Sequence, residues 1–260
     1  MIHNIHMNTE IQMNEIIAER RLGGVARLYG DQAYLRLQSS HVVVIGLGGV
    51  GSWAAEALAR NAVGQMTLID FDQISISNTN RQIHAVEGEY GKSKIEVMAK
   101  RLTSINPEII INCVDDFLKP ENFNQYLSKE VFILDAMDDV PTKIELAAWC
   151  KNNNVPIVMS GGAGGKLDPS VVTVTDLSKA THDPILSKIR ASLRKQHSFE
   201  KDLKKKMHLR VVYSSEPRQG TSQGGLSCAG YGSSVMVTAT FGFIAAAEIV
   251  RQILESHKSV

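Results

Sequence analysis

The feature that most constrains the fold is a glycine-rich turn placed between a buried strand and a helix. Residues 41–45 are dominated by β-branched side chains, as expected for a strand that is covered on both faces. The turn reads Gly-Leu-Gly-Gly-Val-Gly over residues 46–51 and opens a helix through Trp53 and Leu58. Such glycines let a phosphate or ribose approach bare backbone, and the helix start adds N–H groups and partial positive charge. We therefore expect a nucleotide-binding α/β fold.

Strands and helices continue to alternate along the chain. Further strands are predicted at residues 65–70, 109–114, 131–135 and 155–159, with one helix that follows Gly91 and runs to Leu102 and another at 143–151. This spacing indicates a Rossmann-like, doubly wound, mainly parallel sheet with flanking helices. After Gly161 the alternation weakens to one more strand at residues 171–177, followed by a C-terminal basic and helical elaboration.

The 260 residues suit a single domain with one sizeable core. We divide it into a flexible arm (1–14), a nucleotide-binding core (41–175), a basic elaboration (178–225) and an apolar C-terminal helix (229–256). Residues 15–37 have helical patterning, with interruptions predicted at Gly23–Gly24 and at Gly30. The apolar stretch is interpreted as a buried helix at a core or subunit interface, because its uncharged run is too polar at its start for a membrane span. Membrane association through residues 229–250 is the alternative.

Polar side chains cluster after the second predicted strand. Asp70 lies 19 residues beyond the last turn glycine, where a ribose-binding acid belongs. Asn78, Arg81 and Gln82 follow in the next loop, and Lys94 comes at a helix start. Arginine suits bidentate phosphate contact, and lysine adds a second positive charge. Hydride transfer needs a flat nicotinamide slot rather than this polar cluster, so a dinucleotide-dependent oxidoreductase is the less favoured interpretation.

Asp138 follows the strand predicted at residues 131–135. Carboxyl ends of strands face the ligand crevice in open α/β sheets. A carboxylate at that position could hold Mg²⁺ against the phosphates of ATP. The conjunction of two cations, one acid and an anion-binding turn predicts phosphoryl or adenylyl chemistry.

The charge is unevenly distributed along the chain. Residues 179–210 hold ten Lys and Arg but three Asp and Glu, whereas the whole chain carries a net charge of +1. This basic island predicts a large anionic partner, the alternative being an ordinary solvated helix face.

The three cysteines are far apart and form no C-x-x-C pair, which argues against a zinc ribbon. Their sparse use and the lack of a signal-peptide pattern predict a cytoplasmic protein.

These residues resemble the ubiquitin-activating-enzyme-like adenylating superfamily, which includes activators of sulfur-carrier proteins. The matching elements are the glycine turn, D-x-D at Asp70 and Asp72, S-N-x-x-R-Q at residues 77–82, Lys94, I-N-P at residues 105–107, and Asp138. The resemblance implies that Asp70 holds the ribose, Arg81 and Lys94 hold the phosphates, and Asp138 binds Mg²⁺. The nucleotide-binding residues so implied are Gly46, Gly48, Gly49, Gly51, Asp70, Asp72, Asn78, Arg81, Gln82, Lys94 and Arg21, and the catalytic ones are Arg81, Lys94 and Asp138.

Two further segments, residues 20–30 and 235–243, resemble the branch of the superfamily that dehydrates N6-threonylcarbamoyladenosine in tRNA. The zinc-binding cysteine pairs of sulfur-carrier activators are absent, and no cysteine lies between Cys150 and Cys228. The branch implies ATP, Mg²⁺ and tRNA, and by analogy a homodimer, a monovalent cation and a sulfur-acceptor protein of a cysteine desulfurase. Arg21 is the candidate for the N-terminal arginine that reaches the ATP of a partner subunit in this superfamily.

The expected reaction is attack of the threonyl carboxylate on the α-phosphorus of ATP, followed by ring closure by the neighbouring carbamoyl group. Adenylation of a sulfur-carrier protein and NAD(P)-dependent oxidation remain the alternatives.

A lone cysteine among small residues, such as Cys228, is more often a packed residue than a nucleophile. His84 could act as a base near the Arg81 loop, although a structural role is the favoured interpretation.

Overall fold

A computed structural model describes residues 20–219 and 231–256. The strands are β1 His41–Ile45, β2 Gln65–Ile69, β3 Ile110–Val114, β4 Phe132–Asp135, β5 Ile157–Ser160, β6 Val172–Asp176 and β7 Arg210–Ser214. The α-helices are α1 (residues 20–29), α2 Asp31–Gln38, α3 Gly51–Arg60, α4 Lys94–Ile105, α5 Phe123–Tyr126, α6 Val140–Asn153, α7 Pro184–Gln196 and α8 Val235–Glu255. The 3₁₀ helices are Ile76–Asn78, Pro120–Asn122, Pro169–Val171 and Leu177–Lys179.

All seven strands form one sheet in the order β3-β2-β1-β4-β5-β7-β6. Six strands run parallel, and β6 pairs antiparallel with β7. The chain order reverses beside β1, which places a crevice at the carboxyl ends of β1 and β4. The predicted Rossmann-like, doubly wound sheet is therefore confirmed.

The sequence pattern does not indicate β7. It predicts an elaboration outside the sheet at residues 178–225, whereas Arg210–Ser214 lies between β5 and β6. The physical reason is that β7 is a short strand behind a run of lysines, and its partner β5 is some fifty residues away in the chain, so no local pattern reports the pairing.

Side chains of β1 alternate between two cores. Val42 and Val44 pack with residues of α3, α4 and α8, while Val43 and Ile45 pack with residues of α6 and α7. This alternation follows from the two-residue period of a strand. Because helices cover both faces, all four side chains are buried, which explains the continuous apolar run.

Helix α1 continues through Gly23 and Gly24, so the interruption predicted there is wrong. Glycine in a helix costs only about 1 kcal/mol, which packing readily offsets. The chain breaks instead at Gly30, whose φ of 88° lies in the left-handed region. The predicted arm at residues 1–14 lies outside the described residues.

Helix α8 is long and apolar enough to cross a membrane by length and composition alone. In the fold it packs across α3, with Val237, Phe241 and Ile249 fully buried. Gly242 permits this close crossing, since a Cβ there would approach the Val50 carbonyl oxygen to 2.6 Å. The packing supports the interpretation of a buried core helix.

Candidate nucleotide-binding site

The glycine turn joins β1 to α3 with no room for side chains at its two ends. Gly46 has a φ of 85°, and a Cβ on it would lie 3.0 Å from the Ala136 carbonyl oxygen. A Cβ on Gly51 would lie 1.8 Å from the Gly46 carbonyl oxygen. Between them, no atom lies within 4 Å of a Cβ built on Gly48. The turn thus presents bare backbone at the start of a ten-residue helix, a favourable place for an anion.

Asp70 reaches back to this turn from the end of β2. One carboxylate oxygen accepts a hydrogen bond from the Leu47 amide at 2.6 Å, and the other accepts from the Asp72 amide at 2.9 Å. Burial raises the pKa of Asp70, while the charge of Lys94 and these two amides act in the opposite direction. The carboxylate therefore lies beside the turn, where a ribose-binding acid is expected.

Lys94 and Asp72, both predicted as ligands of the nucleotide, form an ion pair with each other at 2.6 Å. Lys94 is buried, whereas the Asp72 side chain is 47% exposed. A hydrogen bond from the Lys94 amide to the Asp72 carbonyl at 3.1 Å fixes the start of α4 against the loop. The sequence pattern does not predict this pairing, which holds the ammonium group close to Asp70 and the turn.

Arg81 lies over the glycine turn. Its aliphatic stem is 3.1 Å from a Cβ built on Gly49, and its Nη1 donates to the Ser77 carbonyl at 2.7 Å and to Asn80 at 3.0 Å. Trp53 of α3 donates to the Arg81 carbonyl at 2.9 Å. The Trp53 contact fixes the backbone of Arg81, and the two hydrogen bonds from Nη1 hold its guanidinium against its own loop beside the turn.

Asn78 and Gln82 are buried in the same loop. The Asn78 side-chain oxygen accepts from the Ser75 amide at 3.0 Å, which completes a capping box around the 3₁₀ helix Ile76–Asn78. Asn78 therefore positions the loop that carries Arg81. The Gln82 side-chain oxygen is buried without a hydrogen-bond partner among the described residues.

Asp138 lies on the loop that connects β4 to α6. The loop starts against the turn, because the Ala136 amide donates to the Ile45 carbonyl at 2.9 Å. Asp139 caps α6 by accepting from the Thr142 amide at 3.0 Å, which leaves the exposed Asp138 for another role. In residues 20–219 and 231–256 no group of three or more His, Cys, Asp or Glu could hold a metal. A single carboxylate together with phosphates is nevertheless a usual Mg²⁺ arrangement.

A fully buried ion pair below this loop was missed. Lys143 of α6 lies 2.8 Å from the carboxylate of Asp135, the last residue of β4, and also donates to the Met137 carbonyl at 3.2 Å. Burial raises the pKa of Asp135, and the charge of Lys143 opposes that shift. The pair fixes the loop that carries Asp138. An acid ending an otherwise apolar strand was the available signal in the sequence.

An aromatic pair was also missed. Phe71 and Phe117 follow β2 and β3, their ring centroids lie 3.3 Å apart, and both side chains are exposed. Phe71 is the residue next to Asp70, so the pair offers a flat apolar surface beside the expected ribose position. Such a surface can stack a purine base.

Arg21 and part of the basic island lie away from this site. Arg21 donates at 3.2 Å to the carbonyls of Ser104 and Ile105 at the far end of α4. Its predicted contact with the ATP of a partner subunit concerns a second copy and stays a prediction. Residues 198–201 and 205–210 line a groove of about 1150 Å³ together with the amino-terminal ends of β5 and β7, at the end of the strands opposite the turn.

His84 is 2% exposed, and neither ring nitrogen has a partner among the residues described. Burial lowers its pKa to about 4, with Lys94 and Arg101 acting in the same direction. A neutral, enclosed imidazole favours the structural interpretation.

Of the described cysteines, Cys113 is exposed and Cys150 is buried; burial raises the pKa of both thiols. Cys228 lies outside the described residues.

Residues 20–259 match the ThiF family. The tRNA threonylcarbamoyladenosine dehydratase of Haemophilus influenzae is 44% identical over 246 residues, covering 91% of this chain and 94% of its own length. Among solved structures, the chain is similar to Escherichia coli tRNA N6-threonylcarbamoyladenosine dehydratase in complex with AMP, with a TM-score of 0.85 and 44% identity over 92% of this chain and 96% of that one. The same enzyme in complex with ATP gives a TM-score of 0.83 at 43% identity, covering 92% and 95%.

Proposed function

The chain belongs to the ThiF family, and from this premise we infer that it catalyses the ATP-dependent dehydration of N6-threonylcarbamoyladenosine in tRNA. The observation that carries the inference is the extent of the likeness: it covers 92% of the chain in an ATP-bound dehydratase, so it includes the β5-β7-β6 half as well as the nucleotide half. The glycine turn, Asp70 and Arg81 form the nucleotide site that this reaction needs.

The reaction has two steps. The threonyl carboxylate attacks the α-phosphorus of ATP, a P–O bond to pyrophosphate breaks, and an acyl-adenylate forms. The carbamoyl group of the same side chain then attacks the activated carbonyl and expels AMP, which closes a ring. One carboxylate oxygen leaves with AMP, so the RNA loses one water overall.

Positive charge at the turn favours the first step. The aliphatic stem of Arg81 crosses Gly49 and carries the guanidinium next to the turn, and the buried Lys94 ammonium lies on the Asp70 side of the same site. In the transition state negative charge builds on the phosphate oxygens, so fixed cations stabilise it more than the ground state. We assign this role to Arg81 and Lys94.

Asp138 is the residue that would hold Mg²⁺. It is exposed at the carboxyl end of β4, and its neighbour Asp139 already caps α6. When bound, Mg²⁺ neutralises phosphate charge. The chain itself contributes one carboxylate and a loop fixed by the Asp135–Lys143 pair.

The second step requires no protein nucleophile. A well-oriented intramolecular attack has an effective molarity on the order of 10⁵ M or more. The sequence has no cysteine between Cys150 and Cys228, where activators of carrier proteins have a thioester cysteine. This absence favours an RNA substrate over adenylation of a sulfur-carrier protein.

We assign the groove lined by residues 198–201 and 205–210 to the body of the tRNA. Its rim carries the exposed Lys201, Lys205 and Lys206, and Lys151 stands over the Phe199 ring at 4.2 Å. The groove lies at the edge of the sheet opposite the turn, so it would contact phosphates distant from the modified adenosine.

Three further assignments are proposals. We propose a homodimer in which Arg21 reaches the partner's nucleotide, and a sulfur-acceptor protein of a cysteine desulfurase as a transient partner. We also propose a cytoplasmic location, because the described Cys113 and Cys150 are free thiols and α8 is packed in the core.

The direct test is the mass of the modified adenosine. Incubation of threonylcarbamoylated tRNA with ATP and the protein should lower the nucleoside mass by one water and release pyrophosphate. Stimulation of pyrophosphate release by a sulfur-carrier protein but not by this tRNA would favour the alternative activity. Reduction of NAD without ATP turnover would contradict the adenylating mechanism altogether.

A further inference from the structure

A partly unpaired guanidinium lies beside the carboxyl end of β5, in the half of the sheet that does not carry the nucleotide turn. Arg218 follows β7, and its Nε and Nη1 atoms are buried without a partner among the residues that the structure describes. The guanidinium stacks on the Tyr231 ring, 4.4 Å from its centroid. Its planar set of donors matches the oxygens of a phosphate or carboxylate.

Arg218 lines a cavity of about 350 Å³ at the amino terminus of α7. The walls include His182, Asp183, Ser187 and Arg190. Helix α7 has 13 residues, so its first turn contributes a partial positive charge to the cavity.

The carboxylates near the cavity are engaged with backbone amides. Asp183 accepts from the amides of Gly162 and Leu186 at 2.8 and 3.0 Å. One oxygen of Glu216 accepts from the amides of residues 167 and 168, and the other accepts from Gln219. No carboxylate in the described ranges forms an ion pair with Arg218. The guanidinium therefore remains able to bind an external anion.

The buried Lys166 adds to this positive charge. Its ammonium donates to the carbonyls of His182, Ser214 and Glu216 rather than to a carboxylate. Arg190 likewise donates to the carbonyls of Leu177 and Ala180, at 3.0 and 2.8 Å. Two cations, Arg190 and Arg218, line the cavity, and Lys166 lies behind its His182 wall, so this positive charge favours a negatively charged occupant.

The second glycine-rich segment of the sequence makes room for Arg218. A Cβ on Gly162 would lie 2.6 Å from its Nη2, and a Cβ on Gly165 would lie 2.7 Å from its Cγ. These glycines follow β5. Because β1, β4 and β5 are parallel, the carboxyl end of β5 lies at the same end of the strands as the glycine turn. Only β4 separates β5 from β1, so the two ends are about 10 Å apart.

We propose that this cavity binds a backbone phosphate of the tRNA next to the modified adenosine, with Arg218 as its positioning residue. The proposal rests on the inferred dehydratase activity. The reacting carboxylate must lie at the α-phosphorus near β1 and β4, so an anion held at β5 belongs to another part of the same substrate. The flanking phosphodiester is the group that an RNA substrate brings there.

The test compares Arg218→Ala, Arg218→Gln and Arg218→Lys with wild type on two substrates, the full tRNA and its anticodon stem-loop, both carrying the modification. Loss of the phosphate contact should raise KM for both RNAs by about tenfold and reduce the salt slope of RNA binding by about one. KM for ATP should stay within twofold. Arg218→Lys should recover part of the loss, because it keeps the charge but not the planar donors.

Lys129→Ala serves as the charge-matched control, since Lys129 is exposed and remote from both sites. An unchanged KM for both RNAs with Arg218→Gln would overturn the proposal, as would an equal rise in KM for ATP, which would indicate a purely structural role. If wild type does not turn over the tRNA, the inferred activity fails instead. Direct RNA binding by fluorescence anisotropy then still decides the role of Arg218.

Discussion

The two halves of the sheet neutralise buried charge in different ways. In the nucleotide half, formed by β3, β2, β1 and β4, the buried Lys143 pairs with the carboxylate of Asp135. In the other half, formed by β5, β7 and β6, the buried Lys166 donates to backbone carbonyls. The buried lysine of the first half is therefore neutralised by a carboxylate, whereas that of the second is held by carbonyl dipoles, the ion pair of β7 being the one between Arg210 and Glu248. We infer from this difference that the first half binds the nucleotide and the second contacts the RNA substrate.

The contrast is tested most sharply by comparing the free energies of unfolding of the Lys143→Met and Lys166→Met variants. Lys143→Met leaves a buried carboxylate unpaired and should lower the free energy of unfolding by about 3–5 kcal/mol. Lys166→Met leaves only carbonyls without a donor and should cost about 1–3 kcal/mol. Urea unfolding measures both, with the exposed Lys100→Met as control, expected within about 0.5 kcal/mol of wild type. A larger loss of unfolding free energy for Lys166→Met than for Lys143→Met would contradict this difference between the two halves.

The next largest effect is expected on the catalytic efficiency of an Arg81 variant. Arg81→Ala should lower kcat/KM by about 10²–10³, because it removes a cation that faces charge developed in the transition state. Pyrophosphate release with saturating tRNA measures it, and Arg60→Ala, whose side chain is exposed and pairs with Glu56, is the matched control. Wild-type turnover by a folded Arg81→Ala protein would refute the phosphate assignment.

Asp138→Ala should reduce turnover by a similar factor if this carboxylate holds the metal. Because Asp138 is exposed, the variant should keep the wild-type unfolding free energy within about 0.5 kcal/mol. Raising the Mg²⁺ concentration should restore part of its activity. Full activity at ordinary Mg²⁺ would exclude Asp138 as the metal ligand.

Protonation of His84, which lies in the nucleotide half, should lower the free energy of unfolding in acid. Its pKa of about 4 in the fold lies below the ordinary value of 6.5, so the unfolded chain binds the proton first. The stability is fully present above pH 6.5 and is lost as the pH falls toward 4, by about 3 kcal/mol in total. His84→Leu should flatten this part of the curve of unfolding free energy against pH. Parallel curves for variant and wild type would show that His84 does not titrate as described.

The smallest effect should come from the groove. Replacing Lys204, Lys205 and Lys206 together by Glu should weaken binding of full-length tRNA, more at low salt than at high salt. The anticodon stem-loop should be affected much less, because the groove lies opposite the turn. An effect independent of salt would identify these lysines as an ordinary solvated face.

The sequence predicts the strands and the glycine turn of the nucleotide half well because their signals are local, while the roles of its side chains stay predictions. The glycine turn, Asp70 and Arg81 are recognisable from spacing and from the strands that precede them. The sequence did not predict that Lys94 pairs with Asp72 or that Asn78 caps a 3₁₀ helix, because each depends on a side-chain choice between nearby partners.

The other half was largely unpredictable because its contacts are distant in the chain. Placing β7 between β5 and β6 brings Arg218 onto Gly162 and Gly165, and Glu216 onto the amides of residues 167 and 168. No periodicity reports contacts across some fifty residues. The second glycine-rich segment was visible as a motif, but its role required the fold.

The central claim is that the carboxylate of the RNA attacks the α-phosphorus of ATP, and an oxygen label tests it most directly. The threonylcarbamoyl carboxylate is labelled with ¹⁸O, and the AMP released during dehydration is analysed by mass spectrometry. The mechanism predicts one ¹⁸O atom in AMP for each RNA that loses water. Unlabelled AMP, with the label recovered in water or inorganic phosphate, would contradict the acyl-adenylate and the site built around Arg81.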